Sequence, residues 1–157
     1  MEIKLVSAPE THELRNRVLR PGRPIEVVDY PQDKLESAFH LGAFLDGEHV
    51  GTASFYQLPN ELALAAAAGT PAEELWQLRG MGAAPEYKGR GIGTAMLERA
   101  YPELTARGGT VLWCNARVVA LEFYRKMGFL VLGDEFMVPD IGPHYVMWRN
   151  IPATRTE

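Results

Sequence analysis

The chain has little sulfur, no excess of positive charge and no long apolar run, and each shortage removes a class of protein. A single cysteine, Cys114, in 157 residues excludes an internal disulfide framework and cannot by itself make a soft metal site. The formal net charge is -4 and no long basic stretch offsets it, so nothing supports nucleic-acid binding. No span approaches membrane length, and Met1 to Val6 lacks the apolar run of a signal peptide. His12, His40, His49 and His144 are dispersed without closely spaced carboxylates, so no metal is expected. A cytoplasmic protein with no membrane or nucleic-acid partner is the expectation.

What is present suffices for a packed core. Hydrophobic residues make up 46% and charged residues 23%, a normal globular balance, and the length suits one domain. That domain is expected over 1–152, with a short tail over 153–157. Ile3 to Val6 reads as a first strand. Glu10 to Arg20 reads as a helix whose Leu14, Val18 and Leu19 form a buried stripe, with Arg15, Arg17, Arg20 and Arg23 on a solvated face and its exit. Leu41–Leu45 and His49–Tyr56 suggest a hairpin through Asp46-Gly47-Glu48. Leu62 to Ala68 is expected as a short helix or ordered loop, and Leu75 to Ala83 as a strand. A helix from Gly91 to about Arg107 is expected to loosen at Pro102, which lacks an interior N–H. Thr110–Cys114, Phe129–Leu132 and Tyr145–Trp148 read as strands, and Ala116–Met127 as a helix stopped by Gly128. Trp76, Trp113 and Trp148 are expected to anchor strand packing. The order predicts an α/β fold, a mixed sheet covered by helices.

The segment Lys88-Gly89-Arg90-Gly91-Ile92-Gly93-Thr94-Ala95 carries the chemistry. Glycines at alternate positions expose successive backbone N–H groups where a helix begins, and the helix dipole there favours an anion. Lys88 and Arg90 add positive charge. The simplest occupant is a pyrophosphate-bearing ligand, although the same glycines also permit close helix–sheet packing. No Gly-Lys-Ser/Thr triplet follows, which excludes a Walker phosphate loop. No acidic residue on the next strand stands ready for a ribose, against a dinucleotide fold. A phosphate turn without a metal motif suits a ligand whose phosphates are bound but not cleaved.

From Gln77-Leu78-Arg79-Gly80-Met81, through Tyr87 to Met96, to Asn115-Ala116-Arg117 and Ala120-Leu121-Glu122-Phe123-Tyr124-Arg125-Lys126-Met127-Gly128-Phe129, the chain resembles the GNAT superfamily of N-acetyltransferases. Pro143-His144-Tyr145-Val146-Met147 resembles a poorly characterised bacterial branch of it. The resemblance implies a single GNAT-like domain with a mostly antiparallel central sheet flanked by helices. It implies acetyl-CoA as cosubstrate, held by Lys88, Gly89, Arg90, Gly91, Ile92, Gly93 and Thr94. Lys88 departs from the arginine or glutamine that usually opens this loop. By the same resemblance Met81, Gly82 and Ala83 present backbone groups to the pantetheine arm, and Tyr124 protonates the departing thiolate. On residue chemistry alone, Phe123-Tyr124 could equally be core aromatics, Gly82 a bulge or packing residue, and Asn115 a helix cap rather than a cofactor contact. Cys114 reads as buried packing, since no Cys-His arrangement supports covalent catalysis.

An amine acceptor must lose a proton, because a lysine-like ammonium with pKa ~10.4 is mostly charged at neutral pH. His144, His40 and Glu135 are the chief candidates for that base, with Glu26 and Asp33 behind them. The reading is therefore an N-acetyltransferase moving acetyl directly from acetyl-CoA to a primary amine, either a small molecule or a peptide, in a chain compatible with homodimerisation. A noncatalytic acyl-CoA sensor and an interaction domain are the alternatives.

Overall fold

Local sequence chemistry accounts for most element boundaries in the computed structural model, which describes residues 1–153. Residues 154–157 of the expected tail lie outside the described residues. Glu2–Val6 forms β1 and Ala8–Leu19 forms α1, whose start is fixed by a capping box between Ser7 and Glu10. The apolar runs Phe39–Leu45 (β2) and Glu48–Tyr56 (β3) make the expected hairpin. Its turn residues, Asp46 at φ 50 and Gly47 at φ 82, take the left-handed torsions that short hairpins demand. Glu61–Ala66 is a short helix, α2, capped by the Asn60 side chain, which accepts from the Ala63 amide at 3.1 Å. Leu75–Ala83 is β4, Ile92–Ala106 α3, Val111–Arg117 β5, Leu121–Lys126 α4, Leu130–Val138 β6 and Gly142–Asn150 β7. The strand order is β1-β2-β3-β4-β5-β7-β6. The β4–β5 pair is parallel, whereas β1–β2, β2–β3, β5–β7 and β6–β7 are antiparallel, giving the expected α/β fold with a mostly antiparallel sheet.

Backbone contacts divide the chain into two compact units, 1–56 with 79–103, and 57–78 with the described residues from 104 onward. In the first, α1 packs on β2 and β3. Val18 of α1 closes on Gly82, where a Cβ would stand 2.7 Å from its Cγ1, so Gly82 is a packing glycine. The kink in β4 falls instead at Gly80, with φ 64. Gly51 of β3 admits α3, because a Cβ there would lie 2.6 Å from Ile92 Cγ2. In the second unit, Ala63, Ala67, Leu75, Val111 and Trp113 form a core cluster with Leu58, Leu132 and Trp148 against it. Trp113 Nε1 donates to the Leu58 carbonyl at 2.8 Å, and Trp76 is buried, so both indoles anchor strands as expected.

Three expectations are corrected. Pro102 does not interrupt α3, which runs through it, and burial of Met96, Leu97, Ala100 and Leu104 outweighs the missing bond. The strand expected to stop at Cys114 continues to Arg117, because Asn115, Ala116 and Arg117 pair with Val146, Tyr145 and His144 of β7. Asn115 therefore caps no helix, and Arg117 lies inside none; α4 begins at Leu121 after a 3-10 turn over Val118–Ala120. Gly128 does close that stretch, at φ 88.

Replacing Gly51 with alanine drives a methyl group into Ile92 and is expected to cost about 1–3 kcal/mol. Urea unfolding should show a lower midpoint at unchanged slope; a midpoint equal to the parent's would contradict this packing.

Candidate active site

In the first unit, β4 leads through a 3-10 turn at Pro85–Tyr87 into the glycine loop and then α3. Gly89 and Gly91 sit at φ 79 and φ 74, and a Cβ on either would meet nothing within 4 Å. Their torsions, not crowding, require glycine. Alternation of left-handed residues with ordinary ones turns successive amides toward one side. The first helical bond runs from the Ala95 amide to the Gly91 carbonyl at 3.0 Å, so the Ile92 and Gly93 amides precede it. The loop is exposed at Lys88, Gly89, Arg90 and Gly91. Its base is fixed by Tyr87, which donates to Glu48 Oε2 at 2.6 Å, and by the Ala84 amide on the Val50 carbonyl at 2.8 Å. Arg90 lies over the Tyr87 ring at 5.3 Å. These features make a fixed, open, positively charged turn of amides.

The same unit holds a buried polar network that sequence reading missed. Arg15 of α1 has 0% exposure, where the helix was expected to present it to solvent. Its Nη1 and Nη2 grip Asp33 at 2.7 and 2.9 Å, and it also donates to the Val28 carbonyl at 2.8 Å. Nη2 further reaches Ser54 Oγ at 2.7 Å and Tyr56 Oη at 3.2 Å. Tyr56 donates to Asp33 Oδ1 at 2.5 Å. Burial alone would raise the Asp33 pKa, but the Arg15 and Tyr56 hydrogen bonds outweigh it and hold the carboxyl below its ordinary range. Burial likewise opposes the Arg15 charge and is outweighed by Asp33, so Arg15 is more firmly protonated than usual. Burial, and then the bond to Asp33, push the Tyr56 phenol up. The available signal was helical spacing: Thr11, Leu14 and Arg15 fall at i, i+3 and i+4, one face of α1.

His40 belongs to this network and lies inside β2, not ahead of a strand. Its Nδ1 meets Ser54 Oγ at 2.8 Å and its Nε2 lies 3.9 Å from Asp33 Oδ1. Burial is the main cause of its lowered pKa, so the ring is neutral at pH 7. The ionised Asp33 carboxylate facing Nε2 favours the ring proton on that nitrogen, which leaves Nδ1 to accept from the Ser54 hydroxyl. His12, Asp29 and Asp33 offer ligand atoms within 4.8 Å of one another. Both Asp33 oxygens are already held by Arg15 and Tyr56, so that trio does not fit a cation. Glu26 and Asp29 are exposed.

The second unit carries the other candidates. Tyr124 is the buried residue of α4, with Phe123 and Phe129 edge-on at 5.2 and 5.3 Å. Burial, reinforced by Cys114, raises its phenol pKa well above the usual value. Cys114 is a free, buried thiol pushed up by the same cause. Asn115 is exposed on β5 between buried neighbours. His144 is buried, stacks on Phe136 at 5.7 Å, and meets the Gly142 carbonyl through Nδ1 at 2.8 Å. A carbonyl only accepts, so the neutral form of the ring has its proton on Nδ1 and its lone pair on Nε2. Glu135, expected in a turn, lies exposed within β6, at the irregular pairing between Leu132 and Phe136.

Residues 8–129 match the model of the Acetyltransferase (GNAT) family. The uncharacterized N-acetyltransferase YitI of Bacillus subtilis is 36% identical over 155 residues, covering 99% of both chains. The chain belongs to the GNAT acetyltransferase family. It is accordingly an acyltransferase. Solved structures share the fold. The ribosomal-protein-S18-alanine N-acetyltransferase of Escherichia coli superposes with TM-score 0.71 at 17% identity, over 98% of this chain and 96% of its own. An aminoglycoside 6'-N-acetyltransferase complexed with coenzyme A gives TM-score 0.71 at 15% identity, over 99% and 100%.

Within this GNAT protein the buried ion pair sets a stability test. Asp33→Asn leaves the Arg15 charge uncompensated and is expected to cost about 3–5 kcal/mol. Since the folded Asp33 pKa lies below the unfolded one, its contribution is present above about pH 4 and lost as pH falls through the folded value. Urea midpoints measured from pH 7 downward should show the parent losing that advantage over the variant. A cost below about 1 kcal/mol at pH 7 would contradict the pairing.

Proposed function

We propose that this GNAT acetyltransferase moves acetyl directly from acetyl-CoA to a primary amine. The observation that carries the reading is the glycine loop opening α3, with left-handed Gly89 and Gly91 and open space where side chains would stand. Amides there suit a diphosphate, and Lys88 and Arg90 supply long-range attraction. The coenzyme A complex of the aminoglycoside acetyltransferase of the same fold supports this choice of ligand. In this reading the backbone of Met81, Gly82 and Ala83 lines the path of the pantetheine arm, and Asn115 is assigned to the cofactor by the family resemblance alone.

Tyr124 is assigned the proton for the departing sulfur. A phenol is ordinarily a weaker acid than a thiol, so donation to a solvated thiolate is uphill. Burial raises the Cys114 thiol and the Tyr124 phenol alike, so the argument for donation is position: a hydroxyl held at the sulfur can give up its proton as thiolate charge develops. Cys114 itself stays protonated and forms no acyl intermediate.

For the acceptor proton, His144 is the better base. Its Nδ1–H is fixed on the Gly142 carbonyl, leaving Nε2 to accept. His40 points Nε2–H toward Asp33 and has no comparable lone pair on offer. Glu135, exposed in β6, is a route through water.

The test is acetyl-CoA turnover across amine classes with mass detection of the acetylated product. Acetylated amine is expected from the parent. Tyr124→Phe should lower kcat by about 100-fold with coenzyme A affinity unchanged. Unaltered turnover under chemistry-limited conditions would remove Tyr124 from the acid role, and coenzyme A binding without acetylation of any amine would contradict the transferase reading.

A further inference from the structure

Arg79 is the last residue of β4 before the kink at Gly80. Its guanidinium lies 3.7 Å over the Tyr30 ring, and its Nη1 donates to Gln32 Oε1 at 2.9 Å. Arg15 lies over the same ring at 4.3 Å, so two cations share one aromatic. Their electrostatics differ. Arg15 is neutralised by Asp33, whereas both contacts of Arg79 are electrically neutral, and no carboxylate among the described residues ion-pairs with it. Gly80, where a Cβ would come within 3.3 Å of both Arg15 Nε and Tyr30 Cε2, keeps that neighbourhood free of another side chain.

A half-buried arginine held over a ring and bonded to Gln32 has lost most of the freedom of its long side chain. Gln32 accepts from one Nη, so the remaining N–H groups form an ordered donor fork without an anion. Such a fork matches a carboxylate in its own plane. Its place on the chain matters equally. Only the kinked Gly80 separates Arg79 from Met81, so the two lie at most about 7 Å apart, the span of two residues of extended strand. Met81 begins the stretch assigned to the pantetheine arm, where the acetyl group ends.

We propose that Arg79 binds a carboxylate of the acceptor, so that the substrate is a small amine bearing a carboxylate a few bonds from its nitrogen. This rests on the transferase reading above. Tyr30 and Gln32 orient the fork, Arg79 holds the carboxylate, and the amine is left to reach along β4 toward Met81. Acceptors lacking the carboxylate forfeit charge-assisted hydrogen bonds.

The experiment compares β-alanine, 4-aminobutyrate and 5-aminovalerate with their neutral carboxamides, with acetyl-CoA saturating, in the parent, Arg79→Gln and Arg79→Lys. The parent is expected to favour the carboxylates in kcat/KM by about tenfold or more. Arg79→Gln should abolish the preference with KM for acetyl-CoA unchanged, and Arg79→Lys, which keeps the charge but not the fork, should retain part of it. Equal use of carboxylates and carboxamides by the parent, or an undiminished preference in Arg79→Gln, overturns the proposal. Calorimetric titration of the coenzyme A-loaded protein with glutarate separates the two readings. If no amine is acetylated yet glutarate binds the parent and not Arg79→Gln, the transferase reading fails and the carboxylate site stands; if glutarate binding is absent or indifferent to Arg79, the site fails too.

Discussion

A guanidinium with no exposed surface cannot stand uncompensated in a protein interior, and Arg15 governs the first unit for that reason. One residue of α1 reaches Asp33 in the 3-10 turn over Pro31–Lys34, the Val28 carbonyl, and Ser54 and Tyr56 of β3. A connection without regular strands or long helices is thereby given a fixed path. Because such pairs gain little net stability over well-packed apolar side chains, their effect here is on position. The Arg15 contacts orient His40 through Ser54 and hold Tyr30 between two cations.

Close approach of backbone to side chain does the corresponding work around α3. Gly51 lets Ile92 and Met96 settle against β3, and Gly82 lets Val18 settle against β4. The start of α3 is thus set by packing next to the turn where Gly89 and Gly91 take left-handed torsions. The proposed anion site would gain from such a rigid floor, since donors that must reorganise on binding lose much of their advantage. In the second unit, β5 and α4 bury Tyr124 beside Cys114, and the pairing of β6 with β7 stacks His144 on Phe136.

The sequence disclosed those parts whose cause is local. The β2–β3 hairpin, the full extent of β4 and the stop at Gly128 follow from turn torsions and apolar patterning within a few residues. Errors arose where a distant partner decided the outcome. Asn115 and Arg117 carry helix-cap and helix chemistry, but hydrogen bonding to β7 keeps them in a strand. Arg15 looked solvated by residue type, and only the later Asp33, Ser54 and Tyr56 make its burial tolerable. Pro102 looked disruptive until the apolar face around it was seen to be buried. Among the candidate site residues, the glycine loop stands out by its alternate glycines and Tyr124 by family resemblance alone, whereas the settings of His40 and His144 depend on strand register and tautomer.

The central claim is that the amides of Gly89 to Gly93 seat the diphosphate of coenzyme A, the Lys88 amide being already bonded to the Pro85 carbonyl. Amide-resolved NMR of the full chain, titrated with coenzyme A and separately with pantetheine, tests it most directly, since pantetheine has the thiol arm and no diphosphate. Large shifts of the Gly89–Gly93 amides with coenzyme A, and none with pantetheine, are the expected result. Saturation by coenzyme A without movement of those amides, or equal movement with pantetheine, would contradict it.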